Sequence, residues 1–136
     1  SYPWKLAGER NDAELLFHTS VFLNFGEEYL NRNEVLLPAS LANFAKLNLS
    51  SFVKLMDAFT SYNITDQLGQ ICCPTLIVVG EEDPIKGRKM AQMMVDRIPQ
   101  AEYVVVPGAG HALCLDKPEP LNTLLLGFAL KHSLQE

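Results

Sequence analysis

The chain has 136 residues, 48% of them hydrophobic, and a formal charge of −5 from 16 Asp and Glu against 11 Lys and Arg. That is one domain's length with enough apolar material for a core. The acidic balance argues against nucleic acid, which is bound through clustered Lys and Arg, and no apolar run approaches the roughly 18 residues of a membrane span. The three cysteines, adjacent Cys72 and Cys73 and a separate Cys114, fit neither a disulfide framework nor a zinc site. Reduced thiols, a cytoplasmic setting and no metal or cofactor are the expectation.

The opening Ser1-Tyr2-Pro3-Trp4-Lys5 has no basic front or apolar middle and does not read as a leader. Residues 1–70 then read as helices and loops. Leu15, Thr19, Phe22, Gly26 and Leu30 fall on one face of a single long helix, widened by Leu16 and Leu23, with Asn11 or Asp12 as its cap. Pro38 opens a second helix that buries Leu41, Phe44 and Ala45. Ser50 or Ser51 caps a third that carries Phe52, Val53, Met56 and Phe59, and Thr65 or Asp66 starts a short turn through Leu68. The segment from Gly69 to Pro74 reads as the seam before residues 71–136, which follow a β-α-β-α order.

In that second part, Thr75-Leu76-Ile77-Val78-Val79 and Tyr103-Val104-Val105-Val106 are β-branched runs bounded by Pro or Gly, the pattern of buried strands. Ala91, Met94, Val95 and Ile98 between them keep helical spacing. The crossover is too long for a hairpin, so the strands are expected to be parallel with a right-handed connection. Pro118 suits the first position of a last helix whose stripe is Leu121, Leu124, Leu125 and Phe128, and Lys131 and His132 suit its C-terminal dipole. The first strand breaks into Gly80-Glu81-Glu82-Asp83-Pro84 and the second into Pro107-Gly108-Ala109-Gly110-His111. Asp83 and His111 are thereby delivered to the C-terminal edge of a parallel sheet, where open α/β proteins bind and react. A carboxylate and an imidazole are two of the three groups of a nucleophilic triad.

These residues carry a family resemblance. Cys73-Pro74-Thr75-Leu76-Ile77-Val78-Val79-Gly80-Glu81-Glu82-Asp83-Pro84-Ile85 resembles the seventh strand and acid loop of the α/β-hydrolases. Pro107-Gly108-Ala109-Gly110-His111, followed by Asp116-Lys117-Pro118-Glu119, resembles their histidine loop and final helix. The likeness covers residues 71–132 by motif; residues 1–70 resemble, by position, the helical cap inserted after the sixth strand. The resemblance implies an α/β fold, Asp83 as triad acid and His111 as triad base, and an ester, thioester or carbon–carbon acyl bond as the target of the complete enzyme. The sequence departs from the family at the nucleophile. The G-x-S-x-G elbow precedes the cap in that family, and Ser1, Ser20, Ser40, Ser50, Ser51, Ser61 and Ser133 all lack flanking glycines. The chain is therefore expected to be the C-terminal part of a hydrolase, inactive alone.

Alternatives stand beside each assignment. Glu82, then Glu81, competes with Asp83 for the acid role. A Cys114–His111 nucleophilic pair is disfavoured because both sit on one loop; Cys114 is expected to pack beneath that loop, and Cys72 and Cys73 to be small buried hydrophobes. His18 reads as a partly buried structural histidine, and Trp4, Phe22, Phe25 and Phe59 as core in preference to a ligand box. Ser1 acts as a nucleophile only if the chain is processed. Two strands leave an open sheet edge, and the last helix leaves an apolar face. Self-association through both, most simply as a twofold homodimer, is expected. The competing function is a non-catalytic module that binds a small apolar ligand or assembles with itself.

Overall fold

The computed structural model describes residues 2–133. Ser1, considered above as a nucleophile, lies outside the described residues. The chain divides into two compact units, one of residues 1–23 and 30–63 and the other of residues 24–29 and 64–136.

The first unit is helical. Helix α1 spans Tyr2–Glu9, and α2 spans Ala13–Asn24. Asp12 caps α2, its Oδ1 accepting the Leu15 N–H at 2.8 Å, while Asn11 takes a left-handed φ of 53° just before it. Helices α3 (Glu27–Asn33), α4 (Leu37–Phe44) and α5 (Leu49–Ser61) follow. Pro38 stands in the first turn of α4 as expected, where its missing N–H costs nothing. The cap of α5 is Asn48 and not Ser50 or Ser51: its side chain accepts the Ser51 N–H at 3.1 Å. The core is Ala7, Leu16 and Leu49, surrounded by Trp4, Leu15, Phe44 and Phe52, with Phe17 edge-on to Phe44 at 5.3 Å.

Four expectations fail here. The buried residues of α2 are Leu16, Phe17, Ser20 and Val21, one position away from the predicted stripe, and Phe22 is 65% exposed. The expected single helix through Leu30 also breaks, with α2 ending at Asn24 and α3 restarting at Glu27. The break centres on Gly26, where a Cβ would lie 2.7 Å from the carbonyl oxygen of Gly108. A contact more than eighty residues distant overrides the local helical periodicity. His18 is exposed, 3.8 Å from Glu14 and edge-on to Phe17, so it is not a buried structural histidine. Phe59 is exposed as well.

The second unit is an α/β arrangement. A 3₁₀ segment, Thr65–Gln70, leads to β1 (Leu76–Gly80), α6 (Arg88–Val95), β2 (Glu102–Val106), α7 (Leu113–Asp116) and α8 (Pro118–Ser133). The two strands pair in parallel, Leu76 opposite Glu102 through Gly80 opposite Val106. Alternate residues serve opposite faces, as the pleat demands. Ile77 and Val79 join Leu68, Ala91 and Ile98 on the α6 side. Val78 joins the cluster of Val106, Ala109 and Leu113, which also takes Leu121 and Leu124 of α8. Both faces of the strand pair are thus covered, the usual state of a parallel sheet. At the end of α8, Lys131 and His132 reach Glu102 at 2.9 and 3.0 Å; the His132 hydrogen bond, then that of Lys131, draws the Glu102 carboxyl below its ordinary range. Leu125, Leu126 and Leu130 of α8 remain exposed.

Candidate functional site

The loop after β1 forms because the strand's end is stitched to its neighbour. The Glu81 N–H donates to Val106 O at 2.9 Å and the Glu82 N–H to Ala109 O at 2.8 Å. Gly80 permits this: a Cβ there would stand 2.3 Å from the carbonyl oxygens of both Ala109 and Gly110. No side chain fits, so the acid loop and the histidine loop touch backbone to backbone.

Asp83 follows directly. Its Oδ1 accepts the N–H groups of Ile85 and Lys86 at 2.7 and 2.9 Å, which fixes the carboxylate plane. Its Oδ2 is left for the Nδ1 of His111, 2.9 Å away. The Asp83 side chain is 5% exposed and that of His111 34%. Burial is the largest single influence on Asp83 and pushes its carboxyl up. The Lys86 N–H, the His111 ring and the Ile85 N–H together outweigh it, and Asp83 titrates below its ordinary 3.8. An ionised carboxylate only accepts hydrogen bonds, so Nδ1 carries the proton and Nε2 keeps its lone pair. A carboxylate thus fixes the tautomer of a half-exposed imidazole and can stabilise its cation, the division of labour in a triad.

The competing acids are engaged elsewhere. Glu82 Oε2 accepts the Glu27 N–H at 2.9 Å. Glu81 pairs with Arg88 at 2.9 Å and accepts the Gly108 N–H at 3.2 Å. Cys114 is exposed and does not pack beneath the loop; Cys72 and Cys73 are exposed as well, contrary to the reading of all three as buried hydrophobes. The adjacent pair lies in the irregular stretch before β1 begins at Leu76. Phe25 stacks on Tyr29 at 4.3 Å, and Trp4 packs on the helical core. Among the described residues, no three His, Cys, Asp or Glu side chains converge as metal ligands. No helix of the described residues is long and apolar enough to cross a membrane.

A cavity of about 490 Å³ adjoins the pair. Every residue of β1 lines it, together with Asp83, His111, Lys86, Met90 and Met94. Sequence reasoning missed one buried group near the pair. Asp116, quoted above only within the stretch that resembles the family's final helix, binds the backbone of the histidine loop.

Parallel strands that present an acid and a histidine from consecutive β-to-loop junctions define an α/β protein, with the pair at the C-terminal sheet edge where such folds bind ligands. The chain belongs to the alpha/beta hydrolase fold family, whose model matches residues 5–118. It is similar to Protein ABHD14A of Mus musculus, 31% identical over 105 residues that make up 71% of this chain and 42% of that one. It is also similar to the pimeloyl-acyl-carrier-protein methyl ester esterase of Yersinia enterocolitica, 25% identical over 104 residues, 76% of this chain and 40% of the esterase. The enol-lactonase of Burkholderia xenovorans superposes with a TM-score of 0.84 at 16% identity, covering 95% of this chain and 49% of the lactonase; that likeness concerns the fold. The chain spans less than half the length of each of these three relatives.

Proposed function

We propose that this chain supplies the acid and base of a serine-type acyl hydrolase, with the nucleophile and oxyanion donors contributed by polypeptide outside these 136 residues. One observation carries the reading: the 2.9 Å bond between His111 Nδ1 and Asp83 Oδ2, at the C-terminal ends of paired parallel strands. The membership of the family and the esterase among the relatives favour a carboxylic ester as substrate.

In this scheme a serine oxygen attacks the ester carbonyl and its proton passes to Nε2 of His111. Asp83 holds the imidazolium through Nδ1–H. The leaving alcohol takes the proton from Nε2 and departs, giving an acyl-serine. Water then repeats the cycle, releasing the acid and restoring the serine. On this reading the elbow serine lies outside these residues, and so do the oxyanion donors, one on the residue after that serine and one on an earlier loop. Turnover by the chain alone is therefore expected to be negligible.

The test uses a chromogenic short-chain ester and a serine-directed fluorophosphonate. The chain alone is expected to show neither turnover nor labelling. The native polypeptide that carries the elbow is expected to show both, with turnover lost on His111→Ala. Turnover by either species that survives His111→Ala refutes the assignment.

A second reading, a self-associating module without catalysis, draws on the exposed Leu125, Leu126 and Leu130 of α8 and on a two-stranded sheet in which β1 pairs on one side with β2. It predicts a homodimer in sedimentation and silence in both ester assays for the native polypeptide.

A further inference from the structure

His111 is tied on both sides to a segment far away in sequence, directly on one side and through Asp116 on the other. The residue before it, Gly110, donates its N–H to Asp116 Oδ2 at 2.6 Å. The residue after it, Ala112, donates to the carbonyl of Asn24 at 2.6 Å. The same Asp116 Oδ2 accepts the N–H of Gly26 at 2.8 Å. One carboxylate oxygen thus joins the histidine loop to the Asn24–Gly26 turn, and the turn's own carbonyl closes the ring. Steric fit is as tight as the hydrogen bonding. A Cβ on Gly110 would meet Asn24 O and Gly26 N at 2.7 Å, and one on Gly26 would meet Gly108 O at 2.7 Å.

Asp116 is 6% exposed, and its Oδ1 is buried without a hydrogen-bond partner. Burying a carboxylate oxygen with no donor is costly, and such groups concentrate where function outranks stability. Asp116 lies beyond hydrogen-bonding contact with the acid–base pair itself: Asp83 Oδ2 serves His111, and Asp116 Oδ2 serves the amides of Gly110 and Gly26. We infer that Asp116 is a positioning residue, whose bridge between the Gly110 and Gly26 amides sets the backbone of His111 so that Nδ1 meets Asp83. The inference rests on the acid–base reading of Asp83 and His111.

The test reads the imidazole of His111 directly. Nitrogen-15 spectra of the full chain report which ring nitrogen carries the proton, and a downfield Nδ1-bound proton marks its bond to a carboxylate. Wild type is expected to show that signal, and Asp83→Asn to lose it. If wild type lacks it, the acid–base reading fails whatever Asp116 does. Asp116→Ala is expected to lose the signal while the β1–β2 amides stay in place, and Asp116→Asn, which keeps an oxygen acceptor for the two N–H groups, to retain it. Unchanged His111 signals in a folded Asp116→Ala overturn the inference. Should that variant not fold, Gly26→Ala attacks the bridge from its other end: loss of the His111 signal is expected, and an unchanged signal overturns the inference. In wild type itself, the Gly26 and Gly110 amide protons must exchange slowly; exchange at the rate of free amides would equally dismiss the bridge.

Discussion

Replacing Gly80 with alanine adds one methyl group at the point where the acid loop and the histidine loop meet. The new Cβ would sit 2.3 Å from two backbone carbonyl oxygens, those of Ala109 and Gly110, and 2.8 Å from the Ala109 carbonyl carbon. Real Cβ contacts essentially never fall under 3.0 Å, so the histidine loop must retreat by at least the difference between 2.3 and 3.0 Å. Backbone atoms cannot swing aside as a flexible side chain does. Overpacking of this kind costs about 1–3 kcal/mol, which for a chain of this size lowers Tm by about 4 °C per kcal/mol. A retreat of that size along the Asp83–His111 bond would lengthen its 2.9 Å to about 3.6 Å, beyond hydrogen-bond reach. Gly127→Ala is the matched control, because a Cβ there meets nothing within 4 Å in the interior of α8. It is expected to stabilise by about 0.5–1 kcal/mol through helix propensity. Thermal melts of the three proteins, with the His111 imidazole signal read in each, decide the matter. The reasoning fails if Gly80→Ala melts within about 2 °C of wild type and keeps the Nδ1 proton.

The acid limb of stability is set in part by Asp83. Its folded carboxyl titrates below 3.8, so as pH falls the unfolded chain takes up that proton first. The stabilisation is complete above about pH 5 and is lost as pH drops below 3.8 through the folded value. Denaturation midpoints of wild type and Asp83→Asn should therefore converge on acidification from pH 6 to pH 3; a constant gap would contradict the hydrogen-bond pattern at Oδ1 and Oδ2. In the helical unit, Leu16 is 1% exposed at the centre of its core. Leu16→Ala should cost about 3 kcal/mol in urea denaturation, transfer and cavity terms together, and a loss under about 1 kcal/mol would mean the core collapses freely around the gap. Glu102→Gln removes the charge that pairs with Lys131 and His132 and should raise amide exchange at the end of α8, and added salt should do the same in wild type by screening the pairs.

The strands, the helix between them and the delivery of Asp83 and His111 to neighbouring loops were legible because their causes are local. Pro74 and Pro107 bracket β-branched runs, and each run ends in a loop that must place its polar residues at the sheet edge. Choosing Asp83 over Glu82 and Glu81 already needed more than pattern. Glu82 is held by the Glu27 N–H and Glu81 by Arg88, partners that sequence spacing does not announce. Asn48 displaced Ser50 and Ser51 as the α5 cap by a shift of two residues, within the ordinary uncertainty of helix ends.

The break at Gly26 is a failure of a different kind, and it bears on how the site is made. Periodicity favoured continuing α2 through Leu30, and every residue from Leu23 to Glu28 could have obeyed. What forbids it lies at residues 108–116: the Gly26 N–H is wanted by Asp116, the Asn24 carbonyl by Ala112, and the Gly26 Cα hydrogen faces the Gly108 carbonyl too closely for any side chain. A helix would have consumed the Asn24 carbonyl as an i→i+4 acceptor and left the histidine loop without it. Local helix energy, a few tenths of a kcal/mol per residue, yields to hydrogen bonds that fix the backbone around His111. Such losses of local order are the expected signature of a geometry held by contacts distant in sequence, and they explain why the part Asp116 plays in gathering those contacts was not legible from its place in the chain.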